Sequence, residues 1–146
     1  MGISLRLTRF FTAPPERVFR AWTDPEELKR WWRAGKGWRT PIAEVDLRVG
    51  GEFRIGTQPQ EGGEMHLVRG TYREVLPARK LVYTFVVEGS EARAEEVVTV
   101  EFHAQDAGTM LILSHQRIAE KQSTEAREKG WESVLDHLTD LLNVAR

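Results

Sequence analysis

The chain has 146 residues, with 21 lysines and arginines against 22 aspartates and glutamates and a formal net charge of -1. That length is enough for one substantial core and not for two, so residues 1–146 are expected to form one domain. The balanced charge provides no field to draw in phosphate backbones or anionic lipid, so nucleic acid and membrane surfaces are not expected partners. The absence of cysteine excludes disulfides, thiolate zinc sites and cysteine nucleophiles.

The chain begins with alternating Ile3, Leu5 and Leu7, interrupted by Arg6 and Arg9, unlike the continuous apolar core of a signal peptide, and no run reaches membrane-spanning length. The expected location is therefore cytoplasmic. Residues 3 to 11 are predicted as a first strand, ended by Thr12-Ala13-Pro14-Pro15, where paired prolines cannot continue a ladder. Pro15 suits the first turn of a helix, and Val18, Phe19 and Trp22 then follow on one apolar stripe. Asp24-Pro25-Glu26-Glu27 restarts the pattern. Asp24 is placed as a cap, Pro25 at the first helical position and Glu27 three residues after the cap, in capping-box position, so that Leu28, Trp31 and Trp32 turn inward. Gly35 and Gly37 close this second short helix.

From about 39 to 116 the period is two, broken by turn signals at Gly50-Gly51, Pro59 to Gly63, Pro77-Ala78, Gly89-Ser90 and Asp106-Ala107-Gly108. The pattern predicts six strands joined by short turns, hence an antiparallel meander. Leu81, Tyr83, Phe85 and Val87 share one face, as do Val98, Val100 and Phe102, and then Thr109, Leu111, Leu113 and His115. Thr99, Glu101 and His103 fall on the other. From about 123 to 143 the spacing turns helical, with Trp131, Val134, Leu135, Leu138 and Leu142 on one stripe, Ser123 as the expected cap and Glu125 in the first turn. The fold class is α+β: a curved seven-stranded antiparallel sheet around a long C-terminal helix, with two short helices between strands 1 and 2. Such curvature leaves interior volume that side chains need not fill, and partly filled apolar interiors are common ligand sites.

Several stretches resemble one family in their wording and order: Phe11-Thr12-Ala13-Pro14-Pro15-Glu16-Arg17-Val18-Phe19, Ala21-Trp22-Thr23-Asp24-Pro25-Glu26, Trp31-Trp32, Val45-Asp46-Leu47-Arg48-Val49-Gly50-Gly51-Glu52-Phe53, Gly70-Thr71-Tyr72, Leu81-Val82-Tyr83-Thr84-Phe85 and Gly130-Trp131. They are similar to the domain related to the activator of Hsp90 ATPase, within the START-like (Bet v 1-like), helix-grip superfamily. The resemblance implies a helix-grip fold with a cavity. The family's eukaryotic activators carry a further N-terminal domain for grasping the chaperone, for which this chain has no room, so an Hsp90-type chaperone is kept as an alternative partner. Ring-hydroxylating relatives in the superfamily hold iron, but no two histidines here have a tight ligand spacing, and no metal or cofactor is expected.

Among individual residues, His115 is the strongest candidate for chemistry because parity places it on the concave face; a buried histidine satisfied by one hydrogen bond is the competing structural reading. Tyr83 is read either as core or as a hydroxyl aimed at a ligand. Gly130, before Trp131, lies inside a helix where glycine is unfavourable by about 1 kcal/mol; either close helix-to-sheet approach or room beside the indole explains it. The resemblance implies that Trp31, Trp32 and Trp38 lie near the cavity mouth, where they are read as core anchors, with a gate as the alternative. Asp46, Arg48 and Gly50-Gly51 are read as a structural turn motif, and Glu125 to Glu132 as a solvated helix back.

The expected function is binding of a small hydrophobic or amphipathic molecule between the terminal helix and the sheet, lined by Trp32, Phe53, Tyr83, Phe85, Phe102, His115, Trp131 and Leu135. One alternative is an enzyme of the cyclase or dehydratase type, which requires a second ionisable group beside His115. Another is a chaperone-linked or regulatory interaction protein, which requires an exposed apolar patch. A homodimer through an exposed strand or the tryptophan region is a further expected arrangement.

Overall fold

The computed structural model describes residues 3–33, 35–88, 95–118 and 121–144. Its elements run β1 (Ile3–Phe11), α1 (Pro15–Thr23), α2 (Pro25–Trp31), β2 (Trp38–Val45), β3 (Glu52–Pro59), β4 (His66–Leu76), β5 (Lys80–Val87), β6 (Glu96–Gln105), β7 (Gly108–Ile118) and α3 (Lys121–Val144). The strands form one antiparallel sheet in the order β1-β7-β6-β5-β4-β3-β2. β2 to β7 are therefore a meander, as short turns require, and β1 closes on β7 at the edge opposite β2. Between β1 and β2 the chain has to cross the whole sheet. α1 and α2 make that crossing over the curled sheet's concave face, α1 against β6 and β7 and α2 against β2.

The α1–α2 junction follows from local chemistry. Pro15 opens α1 without a side-chain cap, and Asp24 both ends it and caps α2, its Oδ1 accepting the Glu26 N–H at 2.9 Å. Glu27 does not complete a capping box. Its buried carboxylate instead accepts from Arg17 Nη1 at 2.6 Å and Arg20 Nε at 2.9 Å, tying α2 back onto α1. Leu28, Trp31 and Trp32 do turn inward, and Trp31 Nε1–H donates to the Ala21 carbonyl.

Alternation along the strands decides burial, as the period-two pattern requires. Leu81, Tyr83 and Phe85, Val98, Val100 and Phe102, and Thr109, Leu111, Leu113 and His115 are buried on the concave face. His103 and Glu101 lie on the outer face, paired at 2.7 Å. The turn expected at Gly89-Ser90 lies outside the described residues. α3 rests on β1, β7 and α2, with Trp131, Val134, Leu135, Leu138 and Leu142 buried. Arg9 of β1 reaches Asp136 at 3.0 Å and the Thr139 hydroxyl at 3.2 Å. The helix starts at Lys121, so Ser123 lies inside its first turn instead of capping it, and Glu125 falls beyond that turn.

Two glycine sites explain the strand geometry. At the β2–β3 turn, Gly50 has φ of +88°, and a Cβ on Gly51 would overlap the Asp46 carbonyl oxygen. Arg48 pairs with Asp46 at 3.0 Å across this turn, which therefore has a structural explanation. On β4, Gly70 lies opposite Phe53 of β3, whose ring folds over it, and a Cβ there would overlap both that ring and the Thr84 carbonyl oxygen. An aromatic covering a strand glycine lets the sheet curl without exposing backbone. Gly70→Ala is expected to destabilise the fold by about 2 kcal/mol or more in urea denaturation, because backbone and not a side-chain end has to move.

Candidate functional site

Inward-facing positions of β5, β6 and β7 bring Phe85, Glu96 and His115 together, since Phe85 is the cross-strand partner of Glu96 and His115 lies one strand further, beside Val98. α3 adds Arg127 and Trp131, one turn apart. Trp131 Nε1–H donates to His115 Nδ1 at 2.9 Å. An indole is only a donor, so Nδ1 carries no proton and Nε2–H donates to Glu96 Oε1 at 2.6 Å. Arg127 closes the chain with Nε to Glu96 Oε1 and Nη2 to Oε2, both at 2.9 Å, and its guanidinium stands 5.7 Å from the Phe85 ring centre.

This arrangement fixes protonation. Burial pushes His115 below the ordinary imidazole value, Arg127 adds to the shift, and the Glu96 carboxylate opposes it. For Glu96, burial pushes upward, but hydrogen bonds from His115 and Arg127 and the guanidinium charge outweigh it and hold the carboxyl at about 2. The ionisable neighbour that an acid–base role for His115 requires is present. Both ring nitrogens are nevertheless engaged, so the imidazole presents no free nitrogen to a ligand. The other histidines stand apart: His66 against Trp38, His103 with Glu101, and His137 donating from Nδ1 to the Arg33 carbonyl at 3.2 Å. Among the described residues no cluster of three or more potential metal ligands occurs, and no helix is long and apolar enough to cross a membrane.

Beside this chain lies a half-open cleft of about 210 Å³ between α3 and the sheet, lined by Trp32, Arg33, Thr57, Val68, Phe85, Val87, Ala126, Arg127, Gly130, Trp131 and Val134. Of the eight residues expected to line a cavity, Trp32, Phe85 and Trp131 border it. The other five lie away from it. Phe53 and Tyr83 border a residual gap of only about 10 Å³, and the Tyr83 hydroxyl accepts from Trp22 Nε1 at 3.3 Å. Burial pushes the Tyr83 pKa up despite that bond. Phe102 packs edge-on against Phe19, with ring centres 5.4 Å apart, and Leu135 and His115 are fully buried core. Trp32 meets Trp131 at 5.2 Å and Trp31 at 5.6 Å, whereas Trp38 lies apart against His66. A depression of about 330 Å³ lined by Leu76, Arg79, Lys80, Glu101, Phe102 and His103 is larger and is bordered by Phe102 of the expected eight, but Arg79, Lys80 and Glu101 make it a poor apolar site.

The 125–132 stretch is not simply a solvated helix back, because Arg127 and Gly130 within it line the cleft. Sequence reasoning missed Glu96, Arg127 and Arg33. Glu96 shares the parity of Val98 and Val100, and Arg127 stands four residues before Trp131, so the same periodicity that marks the core also marks them.

Residues 12–143 match the family model for the activator of Hsp90 ATPase homolog 1-like protein. A Chromobacterium violaceum protein of known structure is similar at 29% identity and a TM-score of 0.86, over 95% of this chain and 96% of that one. A Rhizobium leguminosarum protein aligns at 28% identity and a TM-score of 0.83, over 98% and 95%. A Plasmodium falciparum protein described as an Hsp90 activator aligns at 29% identity and a TM-score of 0.76, over 97% and 96%. Comparison with curated proteins returns no match.

The depressed values of His115 and Glu96 act in one direction. The unfolded chain takes up protons first, from about pH 6.5 downward at His115 and between about 4.5 and 2 at Glu96, so stability present at neutral pH is lost on acidification. Trp131→Phe keeps an aromatic ring, though a smaller one, and removes the indole N–H, leaving Nδ1 able to take a proton. The His115 titration followed by proton NMR should then shift upward, and the share of the stability loss on acidification that His115 contributes should shrink as its folded pKa approaches the unfolded value; an unmoved midpoint would show that the indole bond does not set the ring's charge.

Proposed function

We propose, for a chain that belongs to the family of activator of Hsp90 ATPase homolog 1-like proteins, the binding of a small apolar or amphipathic molecule in the cleft between α3 and the sheet. The observation that carries this reading is Gly130. A glycine within a 24-residue helix is unfavourable by about 1 kcal/mol relative to alanine. Close approach of another element would explain it, but nothing lies within 4 Å of the position its Cβ would take. What the missing side chain provides is width in the cleft beside Trp131. At about 210 Å³ the space is below the range of roughly 300–1,000 Å³ usual for drug-sized ligands, which favours a compact molecule held against Trp32, Phe85 and Trp131.

Gly130→Ala should raise stability by about 0.5–1 kcal/mol, and Gly130→Leu should keep the fold while filling the cleft. Native mass spectrometry of freshly purified protein is expected to show a bound small molecule on the wild type and none on Gly130→Leu. A wild type that carries no adduct and whose Tm no panel of lipophiles moves would overturn the proposal.

A second reading, action on an Hsp90-type chaperone, is favoured by the Plasmodium falciparum relative and by Leu47 and Val49, which the β2–β3 turn leaves exposed, Val49 at 64%. If it holds, the protein stimulates the chaperone's ATPase, Leu47→Ser/Val49→Ser abolishes the stimulation, and Gly130→Leu leaves it intact. No stimulation by the wild type would remove this reading and leave the cleft untouched.

A further inference from the structure

Among the residues bordering the cleft there are two cations and no carboxylate. The two arginines differ in their surroundings. Arg127 is compensated, since both of its described hydrogen bonds fork onto Glu96. Arg33 is not. Its Nε is buried without a hydrogen-bond partner, and among the described residues no carboxylate pairs with it. Its main chain, in contrast, is fixed: the Arg33 N–H donates to the Trp31 carbonyl at 2.9 Å and its own carbonyl accepts from His137 of α3 at 3.2 Å. A guanidinium N–H withdrawn from water and left unpaired is unfavourable, and such a group in a folded protein calls for a partner.

Resting on the cleft-binding reading above, we propose that the ligand is a small carboxylate, with its anionic group on Arg33 and a compact aryl or alkyl body against Trp32, Phe85 and Trp131. A planar carboxylate fits the guanidinium fork, and its charge balances Arg33, which no carboxylate among the described residues pairs with. Thr57 also borders the cleft, and a hydroxyl side chain can supply a further donor. The apolar body does not distinguish an acid from an alcohol of the same shape, so Arg33 carries the discrimination.

The test is isothermal titration calorimetry of the full chain at pH 7.5 with matched pairs: 4-phenylbutyrate and 4-phenylbutanol, and octanoate and octanol. The acids should bind at least tenfold more tightly than the alcohols, a difference of about 1.4 kcal/mol. Arg33→Gln should erase that ratio by weakening acid binding alone, and Gly130→Leu should block both members of each pair. Arg33→Met provides a readout without ligand: removing an unpaired buried donor should raise Tm, and a fall in Tm would show that Arg33 has a structural partner and overturn the assignment. Equal binding of acid and alcohol, unchanged in Arg33→Gln, would overturn the carboxylate and keep the apolar cleft. Binding of none of the four would overturn the cleft itself.

Discussion

A carboxylate withdrawn from water has to be compensated where it sits, and Glu96 is compensated from two elements at once. His115 reaches it along the sheet from β7, and Arg127 reaches it from α3. The effective penalty for burying a single ion is several kcal/mol, so removing either partner would leave an expensive charge behind. Trp131 extends the chain by one bond, and because Arg127 and Trp131 are a turn apart, the two anchors fix both the axial position and the rotation of α3. Sliding the helix by one residue would break both. Apolar packing along the stripe from Val134 to Leu142 holds α3 to the sheet without selecting one register, since dispersion and apolar burial are not directional. The polar chain selects it.

The same chain decides what the interior can do. By engaging both ring nitrogens it converts a histidine well placed for proton transfer into a neutral strut, and it ties the N–H of Trp131, which borders the cleft, to the buried His115. Tryptophans fill most of the remaining volume. Trp22 contacts Trp31 at 4.8 Å and stacks on Trp131 at 6.2 Å, so the space a curved sheet would otherwise enclose is largely occupied. Beside Gly130, which withholds a side chain, the packing between α3 and the sheet does not close. The cleft is thus a local omission in a well-filled core, which accounts for its small volume.

How much of this the sequence discloses depends on how many residues share in each decision. The strands and the helical stripe are each set by several residues repeating one period, and apolar residues at outer-face positions, such as Val82, Val86 and Ile112, do not change the outcome. That is why Leu81, Val98, Leu111 and Leu138 are all where their parity or spacing places them. The site is set by single residues, and there a charge equated with solvent misleads. Arg127 reads as part of a charged helix back until Glu96, 31 positions earlier, is known to be its partner. Glu27 likewise fits a capping box by spacing, yet Arg17 and Arg20 on the neighbouring helix take its carboxylate. In both cases a long-range pair overrides a local rule.

Arg33 is harder to read, because it follows the last turn of α2 in a segment with no periodicity to assign it a face. Its placement depends on Trp32 ending the helix, on the Thr40 hydroxyl holding the Trp32 carbonyl, and on His137 holding the Arg33 carbonyl from α3. Each of these bonds fixes main chain and leaves the guanidinium unassigned. The backbone of this cation is anchored on two sides, and among the described residues no carboxylate pairs with its guanidinium. In a closed core that arrangement would only be destabilising; at the border of an aromatic cleft it would give the proposed site selectivity, because an apolar wall accepts many molecules and an uncompensated charge separates those that carry an anion from those that do not.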